Sequence, residues 1–296
     1  MLDKLKFILV MAVFGTVGLF VRNIDLEPGE ISFYRCVIAM VVITTIVLVR
    51  RRGDWRIPLH GQWLLILVSG LVLGLNWMFL FAAYKYTTIS NGILCYYMAP
   101  IFVLILSPLV LKEKIPLRKY FFVLTALVGM GFLVGANLRQ VGGRHLIGLG
   151  FGILSAVFYA GLILLVKKIK NIPSLESTMF QFISAVVTMF PYIFMTYGIR
   201  AFHMNMRSTV FLLLLGLLHT GICYIFYFGL LQKLKSDVIA IYCYMDPIVS
   251  ILLSIILLGD RLNLPQIIGG VLILGSTLLS EISGESPALE KAETDK

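Results

Sequence analysis

The chain has 296 residues, of which 59% are hydrophobic and only 14% charged, and its mean hydropathy is +0.95. Ordinary soluble domains carry about a quarter charged residues, so this balance excludes that class and points to an all-α protein that crosses a bilayer many times. The net charge of +10 raises nucleic acid as a partner, but the basic residues are scattered through short loops rather than gathered in a patch, and no nucleic-acid partner is expected.

Apolar runs of membrane length need roughly 20 residues between polar breaks. In chain order they are Leu5 to Val21, Ile31 to Val49, Gln62 to Ala83, Ile89 to Leu111 and Tyr120 to Ala136, then Leu146 to Val166, Ser177 to Tyr197, Thr209 to Leu231, Val238 to Leu258 and Pro265 to Leu279. Ten transmembrane helices follow, joined by short connections, of which the longest is Arg50 to Gly61. The polar stretch from Ile282 to Lys296 reads as a disordered tail. Lys4 and Lys6 ahead of an apolar run resemble a signal peptide, but no small-x-small cleavage site precedes Arg22, so the first helix is expected to be retained.

Lysine and arginine set the orientation. With the N-terminus in the cytoplasm, 17 of them fall inside, including Arg50, Arg51, Lys112, Lys114, Arg118, Lys119, Lys167 and Lys168, and 7 fall outside, including Lys85 and Arg207. Both termini are therefore expected on the cytoplasmic side of the plasma membrane. Cys36, Cys95, Cys223 and Cys243 all lie in predicted helices and read as buried free thiols, with no cofactor and no metal implied.

The second half echoes the first. At a constant offset of 147, Met98-Ala99-Pro100-Ile101 recurs as Met245-Asp246-Pro247-Ile248, Gly74 matches Gly221, Phe79 matches Phe226, Phe81 matches Phe228, Trp77 matches Tyr224, Tyr97 matches Tyr244, and Lys112-Glu113-Lys114 answers Gly259-Asp260-Arg261. Ala12-Val13-Phe14 finds Ala156-Val157-Phe158 at an offset of 144. Five helices per copy turn the second upside down, which gives inverted repeats over residues 1–140 and 141–281. Such duplication places a binding site at the repeat interface near the bilayer midplane.

On these residues the chain resembles the drug/metabolite transporter superfamily in its EamA-type branch. The segments that carry the likeness are Ala83-Tyr84-Lys85-Tyr86-Thr87-Thr88, Met98 to Val103, Leu111-Lys112-Glu113-Lys114-Ile115-Pro116-Leu117, Met245 to Val249, Leu258 to Leu262, the glycines Gly269 and Gly270, and Arg35. The tryptophan common in the family's first helix is replaced here by the Phe14-Gly15-Thr16 stretch. The resemblance implies ten helices in two repeats and export of small metabolites, often amino acids or their derivatives, by alternating access.

The residues supply their own chemistry. Pro100 and Pro247 lack an N–H and crowd the preceding turn, freeing the carbonyls of Tyr96 and Cys243, so both helices are expected to kink there and line a wet cavity or shape the bundle. Asp246 lies roughly 12 Å into its helix at about 1.5 Å per residue, near the middle of a hydrocarbon core about 30 Å thick. An ionised carboxylate there is costly unless hydrated or paired, so Asp246 reads as a proton, cation or amino-group site, with a permanent helix-locking bond as the alternative. Arg35 reads as a carboxylate contact or a snorkelling anchor, and His219 as a relay or a hydrogen-bonded core residue. Trp77, Tyr96, Tyr97, Tyr224, Tyr242 and Tyr244 sit at similar depth and offer cation-π walls.

Gly70 to Gly74, Gly131 to Gly135 and Gly148 to Gly152 read as close-packing stripes. Asp237 reads as a helix N-cap, and Glu113 and Asp260 as turn organisers with Lys114 and Arg261. Neither a zinc-protease, a nucleophile-elbow nor a phosphate-loop motif is present, so an enzyme and direct nucleotide hydrolysis are not expected. The reading is a secondary transporter of small metabolites, an exporter of amino acids or related compounds; the alternative is an uptake permease for an organic cation. Proton coupling and a homodimer are both compatible with it.

Overall fold

The structure, a computed structural model, describes residues 2–21, 23–52, 59–87, 92, 95–134, 143–198, 204–258 and 264–282. The tail beyond Ile282, Gly135, and the Asp260 and Arg261 turn lie outside the described residues. All regular structure among the described residues is helical: α1 Leu2–Gly15, α2 Val17–Val21, α3 Pro28–Arg50, α4 Trp63–Tyr86, α5 Ala99–Leu111, α6 Leu117–Val134, α7 Gly143–Lys168, α8 Ser174–Tyr197, α9 Met206–Leu214, a π-helix Leu215–Ile222, α10 Cys223–Lys233, α11 Ser236–Tyr242, α12 Met245–Leu258 and α13 Leu264–Ile282. Six segments among them are long and apolar enough to cross a membrane: Leu2–Val21, Pro28–Arg50, Trp63–Tyr86, Leu146–Lys168, Ser174–Tyr197 and Met206–Lys233.

Local chemistry sets the ends. Pro28 opens α3, where its missing N–H is harmless, and the Glu30 carboxylate accepts the Glu27 N–H at 3.2 Å. Asn205 caps α9 by accepting the Ser208 N–H at 2.8 Å. At the end of α5, Lys112 adopts a left-handed backbone, φ 58°, and turns the chain sharply toward α6.

The side-chain distribution is that of a protein solvated by lipid. Asn76, Ser155, Ser177, Gln181 and Thr220 are fully buried, while Leu109, Met195 and Ile256 are largely exposed. Polar groups point inward because hydrocarbon offers them no partner.

Packing runs mainly between the two sequence halves. α4 lies along α7 and α8, α3 along α8 and the π-helix, α6 along α13, and α1 against α12. Asn76 and Ser155 exchange hydrogen bonds between α4 and α7: the Asn76 amide donates to the Ser155 carbonyl at 2.8 Å, and the Ser155 hydroxyl donates to the Asn76 carbonyl at 2.9 Å. A Cβ on Gly70 would stand 2.3 Å from the Gln181 carbonyl oxygen, and one on Gly74 3.1 Å from Thr188, so these glycines let α4 approach α8 closely. Gly148 and Gly152 are packed likewise against Thr87 and Cys95, whereas among the described residues nothing lies within 4 Å of the Cβ position of Gly131.

Two readings of the charged turns are corrected. Lys235, not Asp237, stands at the N-cap of α11, and Asp237 in its first turn pairs with Lys119 at 3.5 Å. Glu113 pairs with Lys167 at 3.3 Å rather than with its neighbour Lys114. The left-handed turn at Lys112 redirects the chain just before Glu113, so sequence adjacency does not set the pairing.

Candidate functional site

Four interruptions of helical geometry meet in the interior. α1 breaks at Thr16, the segment before α5 turns at Tyr97–Met98, α11 gives way to α12 at Cys243–Tyr244, and residues 215–222 widen into a π-helix. The prolines fall just after two of these breaks: Pro100 is the second residue of α5 and Pro247 the third of α12. At those positions a proline's lost N–H costs nothing, so the helices are interrupted ahead of the prolines rather than bent at them. Interrupted backbone at membrane depth is stable only where it is enclosed by protein or lines a polar cavity.

Asp246 is the second residue of α12 and accepts a hydrogen bond from the Tyr97 hydroxyl. The Tyr244 hydroxyl donates to the Tyr97 carbonyl at 3.4 Å. The two breaks are thereby tied together by residues related through the 147 offset. α1 comes up against the same point, because a Cβ on Gly15 would lie 2.6 Å from the Asp246 carbonyl oxygen.

Arg35 stands by the neighbouring rings. Its guanidinium carbon lies 4.5 Å from the centre of the Trp77 ring, a cation-π arrangement, and its buried Nε finds no hydrogen-bond partner among the described residues. Trp77 meets Tyr224 edge-on at 6.0 Å, a second pair related by the same offset, and Phe14 and Phe182 pack against Tyr224 at 5.2 and 5.4 Å. Tyr224 lies within electrostatic range of both Arg35 and Asp246, and the ion pairs among the described residues include none between those two charges. A cation and an acid thus both lie near the Tyr224 ring.

The remaining expected residues divide. Tyr96 stacks on Tyr159 at 5.0 Å, and the Tyr159 and Tyr227 hydroxyls bond at 2.7 Å, extending the aromatic wall into α7 and α10. His219, on the π-helix, bonds through Nε2 to the Thr16 hydroxyl at 2.6 Å and meets Phe20 at 4.5 Å, within electrostatic range of Arg35. Tyr242 is buried in α11 just before the break. Sequence reasoning missed Thr16, Asn76, Ser155 and Tyr159. A lone hydroxyl or amide in an apolar run was the available signal for the first three; Tyr159 offered none.

Comparison with known proteins decides the family. The model of the EamA-like transporter family matches residues 4–135 and 146–281. The chain belongs to the EamA-like transporter family. It is 28% identical over 98% of its length to the uncharacterized transporter YxxF of Bacillus subtilis, covering 92% of that protein. It is 26% identical over 82% of its length to solute carrier family 35 member G1 of Mus musculus, covering 68% of that protein. A solved crystal structure aligns with 96% of this chain and 98% of its own at TM-score 0.78 and 18% identity, a likeness of fold. The resemblance read from the sequence to EamA-type transporters therefore holds, and this EamA-like chain is a multi-pass membrane protein of a transporter family.

Proposed function

We propose that this EamA-like protein is a secondary carrier that exports amino acids or related zwitterionic metabolites by alternating access. In this reading ten spans form two inverted repeats, residues 1–140 and 141–281, with both termini on the cytoplasmic face of the plasma membrane. Membership of a transporter family and the name of a relative as a solute carrier support the class. The observation that carries the substrate is that Arg35, over the Trp77 ring, and Asp246 both lie within electrostatic range of Tyr224 while no ion pair is formed between them. A solute with one anionic and one cationic group would satisfy both charges, and burying either unpaired is costly. Tyr97 positions the Asp246 carboxyl, and proton exchange at that carboxyl would couple transport to the pH gradient.

Counterflow in reconstituted vesicles, with labelled amino acids, organic cations and sugars and with or without a pH gradient, tests the reading. Asp246→Asn and Arg35→Gln are each expected to lower amino-acid counterflow by a factor on the order of 100, the loss of a buried charged contact of about 3 kcal/mol. Unchanged rate, affinity and pH response in Asp246→Asn would sink the assignment. The ring contacts close to Asp246 also favour a second reading, uptake of an organic cation; transport of a cation that survives Arg35→Gln and fails in Asp246→Asn would select it.

A further inference from the structure

We infer that Tyr159 is a positioning residue for Asp246: its ring steadies the chain break before α5, and its hydroxyl steadies the break before α12. This role rests on the reading of Asp246 as the group that receives the solute or a proton. The two copies differ at this place. α1 lies against α12 and α7 against α5, and these are counterpart pairs of the duplicated sequence. In the first pair Gly15 brings backbone against backbone, since a Cβ there would stand 2.6 Å from the Asp246 carbonyl oxygen. The offset of 144 carried on by one residue sets Tyr159 opposite Gly15, and the offset of 147 sets Ala99 opposite Asp246. Where one pair has a glycine and an acid, the other has a phenol and an alanine.

Both ends of that phenol are engaged. The Tyr159 ring stacks on Tyr96 at 5.0 Å with 16° between the planes, Tyr96 meets Tyr97 edge-on at 5.6 Å, and the Tyr97 hydroxyl donates to Asp246. Three rings therefore run in sequence from α7 to the carboxyl. At its other end the Tyr159 hydroxyl bonds to the Tyr227 hydroxyl at 2.7 Å and reaches the Cys243 thiol, three residues ahead of Asp246. A phenol both donates and accepts, so Tyr227 donating to Tyr159 and Tyr159 donating to Cys243 uses one proton at each step. Tyr227 and Cys243 are both buried, where a polar group that loses its hydrogen bond bears the full cost of desolvation. The breaks themselves pass through tight turns, the Met98 N–H to the Cys95 carbonyl at 3.1 Å and the Tyr244 N–H to the Ile241 carbonyl at 3.2 Å. Regular helical bonding is interrupted there, which leaves side-chain contacts to set where Tyr97 and Asp246 stand.

Tyr159→Phe keeps the stack and removes the hydroxyl, whereas Tyr159→Leu removes both. In full-length protein in lipid nanodiscs, with Cys36, Cys95 and Cys223 changed to alanine, alkylation of Cys243 by N-ethylmaleimide is expected to quicken about tenfold in Tyr159→Phe, the effect of one lost hydrogen bond. Tyr120→Phe, which removes a hydroxyl bonded to the Leu104 carbonyl, is the control and is expected to leave that rate unchanged. Hydrogen–deuterium exchange is expected to quicken at residues 242–248 in both Tyr159 variants, but at residues 95–101 only in Tyr159→Leu. Neither measurement needs a solute. In counterflow of labelled amino acids, Tyr159→Phe is expected to raise KM about tenfold at an unchanged maximal rate, the mark of a displaced binding group. Unchanged alkylation in Tyr159→Phe, equal quickening in Tyr120→Phe, faster exchange at residues 95–101 in Tyr159→Phe, or a lower maximal rate at constant KM would each overturn the role of Tyr159. Absence of amino-acid counterflow in the unaltered protein would sink the reading of the solute instead, and alkylation and exchange would still decide whether Tyr159 holds the two breaks.

Discussion

Lys112 holds the left-handed conformation, φ 58°, that costs an L-residue about 1 kcal/mol. Its counterpart at offset 147 is Gly259, the residue chemistry favours at a helix C-terminus. Lys112→Gly is expected to raise thermal stability in detergent by about 0.5 kcal/mol, the relief of strain less the added freedom of the unfolded chain, and Lys112→Val to lower it by more than 1 kcal/mol. Equal melting temperatures for the three proteins would contradict the strain. At this scale the sequence made legible those residues whose character is rare in hydrocarbon: Asp246, Arg35 and His219 stand out in any apolar run. It hid pairings set by a turn. Glu113 sits beside Lys114 in the chain, and only the backbone reversal at Lys112 accompanies its pairing with Lys167 from another helix.

For whole elements, the six helices long and apolar enough to cross a membrane fall on apolar runs of the sequence to within three residues, because span length is dictated by bilayer thickness. What they could not reveal is where a span breaks. Pro100 and Pro247 marked two of the interruptions a few residues late, while the break at Thr16 and the π-helix at 215–222 carry no proline and are joined by the Thr16–His219 hydrogen bond. The glycine stripes show the same limit. Gly70 and Gly131 are alike on paper, yet a methyl on Gly70 meets the backbone of α8 and one on Gly131 meets nothing within 4 Å among the described residues. Gly70→Ala is expected to cost about 2 kcal/mol or more through overpacking, and Gly131→Ala to be neutral or to stabilise by up to about 1 kcal/mol by favouring the helix. Thermal unfolding of the two variants under identical conditions distinguishes them; equal losses would mean that α4 and α8 are not in close contact.

Across the whole molecule, a duplicated sequence invites the picture of two half-molecules facing each other, and the packing replaces it with one in which the copies interleave. α4 finds its main neighbours in α7 and α8, α6 in α13 and α1 in α12, so each copy's helices are completed by the other's. Trp77 meets Tyr224 and Tyr97 meets Tyr244 because counterparts approach one another where the copies cross, and the unpaired charges of Arg35 and Asp246 lie beside those crossings. An isolated copy would leave Asn76, Ser155 and Gln181, now fully buried, facing lipid, and each unsatisfied polar group there costs several kcal/mol. Residues 1–140 and 141–296 expressed separately are therefore each expected to aggregate or be degraded. Expressed together, they are expected to co-purify as a one-to-one complex, because the only covalent link lost is a single connection while nearly every helix contact is regained. A first segment that purifies alone as a stable, helical monomer would show that its helices pack on one another, and both the interleaved arrangement and the site built at its crossings would then fall.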